Sequence, residues 1–162
     1  MPLLETEVNV EIRNLLIDEW ESNHIEAPTD FDTTWISTGW WNEDTPNPQV
    51  TLSNVTEFTG PDGLTPSGLS AWVDGEVQCD VWIPYHSNDD FASEGEAKIY
   101  RWDLTRKIHS IIEQNQTGTV DEANEPVLTR LETGELRRNP VDPPPPYRML
   151  IPIGFQYRSA PV

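Results

Sequence analysis

The chain has 162 residues, of which 28 are Asp or Glu and 10 are Lys or Arg, so its formal net charge at pH 7 is −18. Binding to duplex phosphates depends on clustered Lys and Arg, and the chain offers only short pairs such as Arg137-Arg138, so direct nucleic-acid recognition is not expected. It starts without a basic region followed by an apolar run and lacks the roughly 18 apolar residues of a membrane-spanning helix, so we expect a soluble, unexported protein with no membrane partner.

The acidic residues are spread along the chain instead of forming one tail, so we expect them to cover the surface of a folded body. They recur in residues 5–26, 30–44, 74–96 and 121–135. Only Lys98 and Lys107 are lysines. Molar salt, in which the Debye length is about 3 Å, screens the self-repulsion of such a surface. The composition is therefore typical of proteins from extreme halophiles, with an acidic protein from a mesophile as the alternative.

The first predicted element is a helix between Glu7 and Ser22. Its apolar residues recur at steps of three and four, which places them on one stripe: Val8, Ile12, Leu15, Leu16 and Trp20. Thr6 is the predicted N-cap, and the nearby glutamates suit the positive end of the helix dipole.

An irregular segment, residues 22–48, follows, and its Pro46-Asn47-Pro48 run forces an extended entry into a first core strand at residues 49–53. The irregular segment carries three tryptophans: Trp35, Trp40 and Trp41. Their flat rings could form a platform for a carbohydrate or a peptide. Alternatively, they pack on the open side of a small sheet or against a neighbouring subunit.

A β-hairpin is predicted around Asp74-Gly75, because this dipeptide between alternating apolar runs favours a two-residue turn. The flanking strands would cover residues 69–73 and 76–85. The core face would then carry Trp72, Val77, Cys79, Val81 and Ile83, and the half-solvated face Gln78, Asp80 and Trp82.

The longest predicted helix runs from Gly95 to Gln114. Its broad apolar face carries Ile99, Trp102, Ile108, Ile111 and Ile112. Three basic residues fall largely outside this face: Arg101, Arg106 and Lys107. They form either a surface for an acidic partner or another copy of the chain, or intrahelical ion pairs such as Asp103 with Lys107.

The end of the chain is predicted to contain a loop, a spacer and a strand. Residues 115–126 are expected to be a mobile loop, residues 127–131 a short strand, and the proline-rich residues 139–146 an extended spacer. In the final strand, five apolar residues alternate onto one face: Met149, Ile151, Ile153, Phe155 and Tyr157. Pro152 has no N–H to donate, so this strand is expected to lie at an edge of the sheet or to be bulged there.

The chain carries no specific set of catalytic or metal-binding residues. Its histidines, His24, His86 and His109, lack metal-ligand spacing, and no serine sits in a nucleophile elbow. No Gly-Lys-Ser/Thr follows the glycine-containing residues 60–68, so they are predicted to form turns and not a phosphate-binding loop. We therefore expect no enzymatic activity, no cofactor and no metal, with a small hydrolase as the least favoured alternative.

The order of these elements predicts a single α+β domain over residues 1–162. We expect a mostly antiparallel sheet of four to five strands with two amphipathic helices packed on one face. Five stretches carry a further pattern of element order and hydrophobicity: residues 12–20, 48–52, 81–84, 106–108 and 147–153. In this pattern the chain resembles the tail-completion or tail-terminator proteins in the neck of tailed viruses. Together with the acidic composition, the resemblance implies a virus of haloarchaea.

The resemblance implies a structural, non-enzymatic protein of the virion neck, assembled in the host cytoplasm. Identical subunits would form a ring, most often a hexamer, between the head connector on the portal side and the tail tube. Genome DNA would pass through a negatively charged lumen without sequence-specific binding.

The residues expected to make ring or partner contacts are Trp35, Trp40, Trp41 and the loop 115–126. Four arginines are expected to pair with acids of the next subunit: Arg137, Arg138, Arg148 and Arg158. The competing hypothesis is a halophilic carbohydrate- or peptide-binding module that uses exposed tryptophans.

Overall fold

The helices and strands are those of a computed structural model, which describes residues 5–58, 72–84, 91, 93–138 and 146–158. The elements in chain order are α1 (Glu5–Glu19), β1 (Ile36–Thr38), β2 (Gln49–Phe58), β3 (Trp72–Ile83), α2 (Glu94–Gln114), β4 (Arg130–Thr133), β5 (Arg137–Arg138) and β6 (Tyr147–Arg158). A short 3₁₀ helix, Thr33–Trp35, leads into β1.

One mostly antiparallel sheet has the strand order β1-β2-β3-β6-β4, and β5 also pairs with β6. β1 is parallel to β2, whereas the other pairings are antiparallel. The predicted α+β fold is confirmed. The parallel strand β1, which is three residues long, lies within the segment that the sequence pattern indicated to be irregular.

The hydrophobic core lies between the sheet and both helices, which pack on the same face. α1 contacts β1 and β2, and α2 contacts β3, β4 and β6. The apolar residues of β3 and β6 alternate onto this face as predicted, and they pair as Val77 with Ile153, Cys79 with Ile151 and Val81 with Met149. Burial raises the pKa of the Cys79 thiol, which stays protonated as a small apolar group.

The predicted hairpin at Asp74-Gly75 is wrong, because β3 continues through both residues. Residues 60–71, which were expected to form turns and the start of the first hairpin strand, lie outside the described residues. Gly75 lies inside the sheet, in register with Phe155 of β6. A Cβ at Gly75 would lie 2.3 Å from the Phe155 ring, so the glycine makes room for a core aromatic residue. In the continuous strand Trp72 and Val77 fall on opposite faces, and Trp72 is exposed instead of lying in the core.

The buried face of α2 also differs from the prediction. Ile99 and Trp102 are exposed, whereas Arg101 and Lys107 are buried. Lys107 Nζ donates to two backbone carbonyl groups of the segment after α1, at 2.8 and 2.7 Å, and burial lowers the pKa of this amine. Arg101 Nη1 donates to a backbone carbonyl of β6 at 3.2 Å. Both long side chains therefore cover apolar surface with their stems while their head groups satisfy carbonyl groups.

The first helix is displaced toward the N-terminus relative to the prediction. It runs from Glu5 to Glu19, so Thr6 lies within the helix and is not its N-cap, and the predicted end at Ser22 is three residues too late. The Trp20 N–H bonds to the Ile17 carbonyl, a tighter i−3 contact that closes the last turn.

The last strand, β6, lies inside the sheet, between β3 and the two short strands β4 and β5, and its register with β3 is unbroken at Pro152. Neither the predicted edge position nor the predicted bulge is therefore found. The β4 pairing ends at Ile153 and the β5 pairing begins at Leu150, which leaves a break at Pro152. The Pro152 carbonyl accepts from Gly134 N at 2.7 Å, so the proline nitrogen faces this break. An interruption of the ladder, and not a sheet edge, accommodates the missing donor.

Residues 115–126 fold back on themselves through backbone hydrogen bonds. Thr119 N donates to the Leu128 carbonyl, and Val127 N donates to the Thr119 carbonyl, each at 2.9 Å. The mobility expected of this loop stays a prediction. The strand expected at residues 127–131 begins at Arg130, and residues 139–145 of the predicted spacer lie outside the described residues.

Candidate interaction surface

Three tryptophan rings and one arginine pack together on the open face of the sheet, the face that points away from both helices. Trp41 stacks on Trp82 with ring centres 5.3 Å apart and 11° between the planes. Trp40 meets Trp82 edge-on, at 5.2 Å and 73°. The guanidinium carbon of Arg148 lies 4.7 Å from the Trp82 ring centre and 5.3 Å from that of Trp40, within cation–π range. We refer to these four residues and Asp80 as the tryptophan–arginine cluster.

The cluster contains a fully buried carboxylate. Asp80 is 0% exposed, and its Oδ1 accepts from Arg148 Nε at 2.6 Å. Its Oδ2 accepts from Gln78 Nε2 at 2.7 Å. Both oxygens are thus paired, as a buried charge requires. The half-solvated face predicted for β3 is therefore corrected, because Asp80 and Trp82 are covered.

Strand pairing and a short loop bring the members of the cluster together. Trp82 and Arg148 are cross-strand neighbours on β3 and β6, and the Trp82 indole donates to Thr51 Oγ1 of β2 at 2.9 Å. The loop that carries Trp40 and Trp41 is tied back to β2 by two hydrogen bonds between Gln49 and the backbone of Asn42, at 2.9 and 2.8 Å.

The three rings differ in how much of each remains available to a partner. Trp82 is buried and Trp41 is partly buried, whereas Trp40 is 56% exposed. The Trp41 Nε1 atom is buried and has no hydrogen-bond partner within the described residues. Because Trp82 is buried and Trp41 is partly buried, Trp40 is the ring of the cluster that offers most surface to a partner.

The other predicted contact residues lie away from this cluster. Trp35 packs partly buried against the hydrophobic core. Arg158 lies at the opposite end of β6, with its guanidinium 5.8 Å from the Trp72 ring centre. Arg137 and Arg138 form β5 beside Met149 and Leu150 of β6, and their side chains lie outside the described residues. Of the seven predicted residues, the structure thus brings together Trp40, Trp41 and Arg148.

A groove beside α2 is a second surface feature, with a volume of about 410 Å³. Four of its lining residues give it a mainly apolar interior: Ile25, Trp102, Thr105 and Leu136. Arg106 and His109, which also lie on α2, line the groove as well. We call this feature the α2 groove.

Among the described residues, no group of three or more His, Cys, Asp or Glu side chains is arranged to hold a metal ion. No helix in the described part of the chain combines the length and apolar character needed to cross a membrane. No protein-family model matches the chain, and no curated protein matches it.

Proposed function

We propose that the chain is a structural subunit of a virion neck, a tail-completion or tail-terminator protein of a halophilic tailed virus. It forms a homo-oligomeric ring, a hexamer in the usual arrangement of that family, which joins the head connector to the tail tube. The ring assembles in the host cytoplasm, performs no catalysis and needs no cofactor. Genome DNA passes through its lumen without being read.

The observation that carries this proposal is the exposed Trp40 on a rigid support. Its ring lies edge-on to Trp82 and against the Arg148 guanidinium, which is itself paired with Asp80. An aromatic residue held in one orientation loses little side-chain entropy on binding, and such residues dominate the energy of protein interfaces. The open face of the sheet is thus suited to subunit contact.

The charge of the chain supports the same proposal. A net charge of −18 opposes association in dilute salt, but molar salt screens it. In a ring, carboxylates that line the lumen repel DNA phosphates and keep the passage free of bound DNA.

Electron microscopy of the purified chain in about 3 M KCl tests the proposal. The expected images show closed rings with an open centre, and duplex DNA added to them remains unbound. A chain that forms no closed particle at any concentration, or that retains DNA, would contradict it.

The carbohydrate- or peptide-binding module is the competing proposal, and the exposed face of Trp40 is the observation in its favour. A sugar or peptide that stacks on Trp40 would quench tryptophan fluorescence in wild type but not in Trp40→Ala. Saturable quenching by a monomeric chain would favour the module over the ring.

A further inference from the structure

We propose that Trp40 of one subunit inserts into the α2 groove of the next subunit, where Glu43 and Asp44 face Arg106. The inference rests on the proposed ring and identifies its subunit interface. It assigns one side of the contact to the open face of the sheet and the other side to the helical layer.

The first partner is a projecting apolar group with acidic neighbours. Trp40 is 56% exposed, and the loop that follows it carries Glu43 and Asp44, which are both exposed. Neither carboxylate forms an ion pair within the described residues. The Asp44 N–H donates to Asn42 Oδ1 at 2.9 Å, which fixes the turn that presents them.

The second partner is an apolar groove with an unmatched cation. Trp102 in the groove wall is 41% exposed, more than is usual for a large aromatic side chain. His109 Nε2 lies 3.8 Å from Oε1 of Glu113, which also lines the groove, whereas the exposed Arg106 forms no ion pair within the described part of the chain. Arg106 therefore stands at the side of the groove without an acidic partner among the described residues.

The two surfaces match in size, and Arg106 carries a charge opposite to those of Glu43 and Asp44. An indole ring fits a mainly apolar groove of about 410 Å³, and aromatic groups that fill such pockets are the usual centres of interface energy. In a chain with only 10 basic residues, a free cation beside an apolar groove is a scarce feature. Ion pairs at such partly buried contacts are also screened by salt much less than exposed pairs.

The positions of the two surfaces favour a ring. The Trp40 side chain lies on the open face of the sheet, and the α2 groove lies on the helical side, so the same patch does not meet itself. A contact between different patches is heterologous, and it closes into a ring when the rotation per subunit is a whole fraction of a turn.

Disulfide trapping tests this contact directly. A chain carrying Asp44→Cys together with Arg106→Cys is oxidised in molar KCl and run on a non-reducing gel. We expect a ladder of covalent multimers that ends at the size of the ring, and a mixture of the two single variants should stop at dimers. Cys79 is fully buried and does not react, and the matched control pairs Asp44→Cys with Glu76→Cys, another exposed residue of the open face, and should give no ladder.

The outcomes separate this interface from the ring itself. Oligomers without a ladder in the double variant would overturn the interface while leaving the ring in place, because a different surface would then hold the subunits. A ladder that stops at dimers in the double variant would indicate a two-fold contact and would also overturn it. A wild-type chain that stays monomeric would contradict the ring and the interface together.

A second pair of variants tests the same interface without disulfide chemistry, by measuring self-association. Trp40→Ala should weaken self-association at least about tenfold, whereas Trp72→Ala, which removes an equally exposed tryptophan at the far end of β3, should leave it unchanged. Equal effects of the two substitutions would overturn the assignment to Trp40.

Discussion

Arg148 donates from Nε to Oδ1 of the buried Asp80 over 2.6 Å, and the same guanidinium lies against the exposed ring of Trp40. One arginine therefore compensates a buried charge and also supports the side chain that we propose as the subunit contact. Loss of Arg148 should therefore both destabilise the open face of the sheet and release Trp40 from its present orientation.

Replacing Arg148 by Met should destabilise the fold, because Asp80 would keep its burial and lose its cation. Removing one partner of a buried ion pair typically costs about 3 kcal/mol or more. The matched control is Arg130→Met, whose partner Asp74 lies at 3.2 Å with both side chains nearly half exposed, and it should cost less than about 1 kcal/mol. Urea unfolding at constant KCl measures both, and losses of equal size would contradict the role given to Asp80.

Gly75→Ala should destabilise the chain by about 1–3 kcal/mol, the usual cost of overpacking a core. The new Cβ would meet the Phe155 ring at 2.3 Å and the backbone oxygen of Thr56 at 2.5 Å. Gly95→Ala is the control, because its Cβ would meet only Ser93 Oγ at 3.8 Å and alanine favours the helix. If Gly75→Ala unfolds at the same urea concentration as wild type, Gly75 does not pack against Phe155 as it does in the continuous strand β3.

The hydroxyl of Tyr157 should make stability depend on pH in the alkaline range. It donates to Glu57 Oε1 at 2.7 Å, and burial, together with this carboxylate, raises the tyrosine pKa above its ordinary 10.0. The folded chain holds this proton more tightly than the unfolded chain, so the contribution is complete below pH 10 and is lost as the pH rises further.

Wild type and Tyr157→Phe should therefore differ in the slope of unfolding free energy against pH from about pH 10 to about pH 11.5, with the steeper loss in wild type. Parallel curves for wild type and Tyr157→Phe would show that the folded chain does not hold the Tyr157 proton more tightly than the unfolded chain.

Local sequence patterns predict those features of the fold that are set within a single element, such as which face of a strand is buried. The alternation that places Met149, Ile151 and Ile153 in the core is a property of one strand, and it is confirmed. The turn signal of Asp74-Gly75 is equally local but was overridden, because pairing of β3 with β2 and β6 along its length stabilises an extended backbone.

The tryptophan–arginine cluster could be predicted only in part, because its geometry depends on strand register. The family resemblance, together with their side-chain types, predicts Trp40, Trp41 and Arg148 as contact residues. The sequence does not predict that Asp80 and Trp82 join these residues, because no local pattern indicates that Trp82 of β3 pairs with Arg148 of β6. The sequence does place Asp80 and Trp82 on the same, outward face of β3. Arg148 at an outward position of β6 was the available signal that this carboxylate has a cationic partner on the neighbouring strand.

The acidic surface should make the melting temperature rise with KCl. Between about 0.15 M and about 3 M KCl the Debye length falls from about 8 Å to less than 3 Å, which screens repulsion among the carboxylates. A variant that neutralises three exposed acids, Asp18→Asn, Glu21→Gln and Glu122→Gln, should melt higher in low salt and respond less to KCl. A wild-type melting temperature that does not change with KCl would contradict the halophilic interpretation.

The ring is tested most directly by light scattering on the wild-type chain as it leaves a sizing column in about 3 M KCl. We predict a single species whose mass is a fixed multiple of the 18.5 kDa chain, six times that mass for a hexamer, and which does not grow with concentration because a closed ring has no free interface. A mass of 18.5 kDa at every concentration would contradict the account, as would open-ended growth.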